Sequence, residues 1–136
     1  MPNTIKKIIY YLLGIFILLL MFFIIPFEHP IKRTLFLVAG VLGFIFLVLG
    51  IVLIILGRKE KGKLKVFLIL TGLSTVAPLL FSVLHNLFYA LGTIFKNLDF
   101  IFELLHGISL IIAMLVAPIL FIIGVIGSII LMRKKK

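Results

Sequence analysis

The chain has 136 residues, of which 64% are hydrophobic, with 14 Lys or Arg against 4 Asp or Glu and a net charge of +10. A soluble domain of this size cannot keep so much apolar surface out of water, so the composition excludes a globular cytosolic protein. The absence of cysteine excludes disulfide scaffolds, thiol catalysis and cysteine-ligated clusters, including vitamin K reductase-like redox chemistry.

The first apolar run covers residues 8–27 and follows Lys6 and Lys7. Its length exceeds a signal-peptide core, and Ile24-Ile25-Pro26-Phe27 provides no small-residue cleavage site, so it reads as a retained span. It carries little besides Gly14 and two tyrosines, which suits the periphery of a bundle. A short joint stiffened by Pro26 and Pro30 and holding Glu28, His29, Lys32 and Arg33 leads to the second run, 34–57. The third and fourth runs cover 66–90 and 108–132. Each is at least as long as the roughly 20 residues an α-helix needs to cross ~30 Å of hydrocarbon, and none contains Asp, Glu, Lys or Arg. Backbone groups in lipid must pair within their own segment, and the apolar residues do not alternate as in a barrel strand. The expected fold is therefore all-α: a single integral membrane domain of four transmembrane helices, arranged as two consecutive hairpins.

The second and third spans are joined by Arg58–Lys65, the most basic stretch of the chain. With four crossings, this joint shares a side with both termini, so Lys6, Lys7, Arg58, Lys59, Lys61, Lys63, Lys65 and Arg133 to Lys136 all lie together. Only Lys32, Arg33 and Lys96 lie opposite. That asymmetry places both termini in the cytoplasm of an inner-membrane protein and opposes dual insertion. The same residues, Arg58, Lys59, Lys61, Lys63, Lys65, Arg133 and Lys134 in particular, suit contact with anionic lipid headgroups, at about 1 kcal/mol per basic residue near the surface. Their distribution speaks for lipid and against nucleic acid as partner. The two hairpins share end patterns, Leu56-Gly57-Arg58-Lys59 and Leu131-Met132-Arg133-Lys134, which would fit a parallel repeat.

Residues 91–107 form the longer joint between the third and fourth spans. It mixes Lys96, Asn97, Asp99 and Glu103 with Phe95, Phe100, Ile101 and Phe102, which predicts an interfacial amphipathic segment leading into the fourth span.

At 100° per residue, the polar residues of the third span, Thr71, Ser74, Thr75, Pro78, Ser82, His85, Asn86 and Tyr89, fall within an arc of about 120°. The second span gathers Ala39, Gly40, Gly43, Gly50 and Gly57 on one face, and the fourth gathers Ser109, Ala113, Ala117, Gly124, Gly127 and Ser128. Small residues allow close backbone approach, the main source of helix association in lipid, so the polar stripe is expected between these two faces. Alone or in a homo-oligomer or larger membrane complex, such a bundle packs through glycine. Pro78 and Pro118 sit roughly 18–21 Å from the basic ends of their helices and are expected to kink them, each freeing the carbonyl four residues back.

His85, Asn86, Tyr89 and Ser82 form the candidate polar site, because an ionisable residue within a span is either bonded to a neighbouring helix or poised for a ligand. Glu103-x-x-His106 is a weak metal candidate. With Val66 level with Met132, His106 would stand roughly 10 Å beyond His85, too far to share an ion. No resident metal or other cofactor is expected. The chain has no P-loop, G-x-S-x-G, H-E-x-x-H or paired intramembrane carboxylate, and Ser82 with His85 lacks an orienting acid. It also lacks the embedded glutamate of small multidrug exporters and the cysteine-bearing outer loop of tetraspanins and claudins.

Arg58-Lys59-Glu60-Lys61-Gly62-Lys63-Leu64-Lys65, Thr71-Gly72, Leu84-His85-Asn86-Leu87-Phe88-Tyr89, Pro118 and Gly124-Val125-Ile126-Gly127-Ser128-Ile129 together resemble uncharacterised small multi-span membrane proteins of prokaryotes. The resemblance covers about the C-terminal half. It implies no particular activity, but it directs attention to His85, Asn86 and Tyr89. The function expected is that of a non-enzymatic accessory or interaction protein. A small transporter or channel subunit using the third span is the alternative, and an outer-face metal-dependent enzyme the third.

Overall fold

The computed structural model describes residues 2–25 and 31–134. Glu28, His29, Lys135 and Lys136 lie outside them, as do Pro26 and Pro30 and the side chains of Lys32 and Arg33. Helix α1 is Pro2–Ile24, α2 is Ile31–Gly57 and α3 is Gly62–Ile94. After a single 3₁₀ turn, Lys96–Leu98, come α4 (Asp99–Ile111), a π-helical turn (Ile112–Val116) and α5 (Ala117–Lys134), which run on as one spanning rod. No strand occurs among the described residues. The protein is an all-α bundle of four helices long and apolar enough to cross a membrane.

Local chemistry sets the breaks. After α2, Arg58, Lys59 and Glu60 donate backbone N–H bonds to Ile54, Leu56 and Gly57 at 3.0, 3.1 and 3.1 Å, winding the chain off the helix. Gly62 then turns it into α3 with φ of +62°, a left-handed conformation that suits glycine. Between α3 and α4, Phe95 N–H bonds Leu91 and Leu98 N–H bonds Phe95, and Asp99 brings a carboxylate to the positive end of α4. The Ala117 N–H donates to the Ile112 carbonyl, five residues back. This wider turn lies directly before Pro118, whose ring crowds the carbonyl four residues earlier and whose nitrogen cannot donate.

Residues 91–107 are helical almost throughout. They complete α3 and begin α4, which stands antiparallel against α3: a methyl group at Gly92 would lie 2.9 Å from Asp99 Oδ1 and 3.4 Å from Phe102 Cβ. Within this stretch the close approach buries Gly92 and half-buries Leu91, Phe102, Leu105, His106 and Gly107, while Phe95, Phe100, Ile101 and Leu104 stay exposed.

Helix α3 packs against α2 on one side and against α4, the π turn and α5 on the other, and α1 closes the ring between α2 and α5. The core lies toward the end that carries Arg58–Lys65, called basal below, and the opposite end is distal. It is formed by Ile5, Ile8, Ile9 and Leu12 of α1, Phe46 and Leu53 of α2, Leu64 and Leu68 of α3, and Phe121 and Val125 of α5. Rings of Phe16, Phe46 and Phe121 meet at centroid distances of 4.6–6.3 Å. The first span is therefore not peripheral. Its buried face is made of Ile and Leu, which leave no mark in an all-apolar span when only small or polar residues are sought.

Candidate functional site: the polar stripe of α3

The basal part of the stripe is closed. Thr71, Ser74 and Thr75 are buried, and each hydroxyl donates to its own helix: Thr71 to Phe67 at 2.8 Å, Ser74 to Leu70 at 2.7 Å and Thr75 to Gly72 at 2.7 Å. Back-bonding of this kind satisfies a hydroxyl in a dry interior without water. Glycines of both neighbours cover it. A methyl group at Gly124 of α5 would lie 2.5 Å from Thr71 Oγ1 and 2.9 Å from the Thr71 backbone nitrogen. One at Gly50 of α2 would overlap the Thr75 hydroxyl, and one at Gly72 would come within 2.7 Å of the Gly50 carbonyl. Gly57 faces Leu68, Gly127 faces the Phe67 ring, and Ala113, Ala117 and Ser128 are buried. Ser128 Oγ has no partner despite complete burial.

Gly40 and Gly43 depart from the expected packing face. A methyl group at either would meet nothing within 4 Å. Gly43 lies two turns from Gly50 on the same side of α2, so the open space means that α2 and α3 separate distal to the Gly50–Thr75 contact.

The distal part of the stripe contains a pair of histidines. His85 Nδ1 donates to the His106 carbonyl at 3.1 Å, and His106 Nδ1 donates to the His85 carbonyl at 3.0 Å. The rings stack with centroids 3.7 Å apart and planes 21° from parallel. A carbonyl oxygen only accepts, so both Nδ1 atoms carry a proton. The Tyr89 ring lies 5.6 Å from that of His106. Asn86 Nδ2 donates to the Ser82 carbonyl at 2.9 Å, and Ser82, Asn86 and Tyr89 are exposed.

This pairing corrects the depth derived from aligning Val66 with Met132. Thr71 is level with Gly124, not with residue 127, and the fourteen residues from Thr71 to His85 are matched by eighteen from Gly124 back to His106. The π turn contributes, because its wider winding fits more residues into a given axial length. Its signal in the sequence is Pro118, read only as a kink. Glu103 lines an open, almost wholly apolar groove on α4 with Phe100, Leu104, Gly107, Ile108 and Ile111. Among the described residues, no three His, Asp or Glu side chains gather as a metal would require.

At the basal end, Lys6, Lys7, Arg58, Lys59, Lys61, Lys63, Lys65, Arg133 and Lys134 are all exposed around the rim. Lys6 Nζ lies 5.9 Å from the centre of the Tyr10 ring. No protein-family model matches this chain, no curated protein proves similar to it, and no solved structure matches it.

Proposed function

We propose that the protein is a non-enzymatic accessory or interaction protein of the cell's inner membrane, acting through helix contacts within the bilayer rather than by catalysis or conduction. One observation carries this reading: the polar stripe of α3 is shut in its basal half, with Thr71 against Gly124, Thr75 against Gly50 and every hydroxyl between them bonded to its own backbone. A conduit needs hydrated polar groups there. The basal rim of Lys and Arg supports cytoplasmic termini and contact with anionic headgroups, because short basic segments resist translocation and attract acidic lipid. The rival reading, a small transporter or channel subunit, draws on the exposed Ser82, Asn86 and Tyr89 of the distal half.

Thiol labelling separates the two. Cysteine placed singly at Thr71 or Thr75 of this cysteine-free chain should resist a small membrane-impermeant methanethiosulfonate applied from either side of sealed vesicles. Rapid modification at Thr71 would establish a water path and favour the transporter.

A further inference from the structure

We propose that the distal halves of the two hairpins enclose a slot that binds a phospholipid of the distal leaflet, one acyl chain between α2 and α3 and the polar head at Ser82, Asn86 and Tyr89. The inference rests on the membrane-spanning architecture and is independent of whether the basal half conducts.

The walls follow from the faces. On α2 the side that meets α3 runs through Gly57, Ile54 and Gly50, and at 100° per residue Gly43 and Phe36 continue it. Yet Gly43 has nothing within 4 Å, and Phe36 is 80% exposed. On α3 the side that meets α2 runs through Leu68, Gly72 and Thr75, and Leu79, Ser82 and Asn86 continue it, all exposed. Among the described residues, the backbone of α4 approaches neither α1 nor α2 closely. Faces that interlock at and below Thr75 thus separate above it. The clustered Phe16, Phe46 and Phe121 rings form the floor, about one turn distal to Gly50 and Gly124.

Depth and chemistry select the occupant. From Leu79, level with that floor, to Tyr89 is ten residues, about 15 Å along a helix, close to half of a ~30 Å hydrocarbon core. The slot is therefore one leaflet deep. Its lower part offers Phe, Leu and glycine, where water finds no partners and a void would forfeit dispersion contacts that an acyl chain supplies. Its upper part offers donors: the Ser82 and Tyr89 hydroxyls, and the Asn86 amide hydrogen left over after the bond to Ser82. These donors suit the ester or phosphate oxygens of a lipid head.

The chain has no tryptophan, so an introduced one is a sole reporter. Leu79→Trp places it in the slot, and Leu80→Trp places it on the side of α3 turned away from both neighbours. In vesicles of phosphatidylcholine brominated at mid-chain, both should be quenched. Filling the slot with Gly43→Phe, or independently with Ala39→Phe, should abolish quenching of Leu79→Trp and leave Leu80→Trp unchanged. In native mass spectrometry from mild detergent, Asn86→Leu with Tyr89→Phe should cut the fraction of chains retaining a phospholipid several-fold. An unquenched Leu79→Trp would overturn the proposal, showing the slot closed, water-filled or occupied by a second copy. Quenching indifferent to both slot-filling variants would overturn it equally. Circular dichroism of each variant verifies the helices, and labelling at Thr71 reports separately on the basal seal.

Discussion

At Gly124 a single added methyl group would press on the Thr71 backbone, which cannot move aside as a flexible side chain would. Gly124→Ala should therefore cost about 1–3 kcal/mol as overpacking. Gly43→Ala enters open space and should change stability by no more than about 0.5 kcal/mol, with alanine's better helix propensity acting in its favour. Unfolding in a graded detergent mixture measures both, and equal losses would mean that α2 follows α3 along its whole length. The histidine pair makes a different kind of prediction, since each ring holds the other's backbone. His85→Ala and His106→Ala should each destabilise the distal hairpin, and the double variant should lose less than the sum. The coupling should be of the size found between polar side chains in membranes, ~0.6 and at most ~1.7 kcal/mol. Strict additivity would show that the stacked, reciprocally bonded arrangement does not persist in the membrane.

Among the elements, α3 decides the shape. Pro78 leaves the Ser74 carbonyl without its helical donor, and the α2 and α3 faces part company within a turn or two distal to it. Restoring the donor with Pro78→Ala should tighten α3 and bring α2 closer, shortening a spin-label distance between Phe36→Cys and Ala90→Cys. No change would assign the divergence to the residues around Gly50 alone. The four spans were readable because twenty uncharged residues have few other fates, and the inner contacts of α3 because glycine faces stand out in a Leu- and Ile-rich chain. Three things were not. The aliphatic face of α1 has the same composition as a lipid-facing one. The helical pairing of 91–107 depends on a partner element, since Gly92 records the close approach only once Asp99 and Phe102 are known to lie across from it. The meeting of His85 and His106 depends on register, which the π turn before Pro118 shifts.

For the whole molecule, orientation follows from charge. Cysteine placed at Lys61 should be labelled by an impermeant reagent only from the cytoplasmic side, and exchanging Lys59, Lys61 and Lys63 for Glu should weaken that preference. Labelling of Lys61→Cys from outside intact cells would reverse every assignment of leaflet made above.

The central claim is that the two hairpins are clamped at the basal end and apart at the distal end. Double electron–electron resonance in liposomes tests it with two pairs of spin labels between α2 and α3. One pair, at Arg58 and Lys65, sits beside the Gly57–Leu68 contact, and the other, at Phe36 and Ala90, sits above the last contact at Gly50–Thr75. The account predicts a short, narrow distance distribution for the basal pair and a clearly longer one for the distal pair. Equal distances at both ends, as for helices packed along their length at an interaxial spacing of ~8–10 Å, would contradict it.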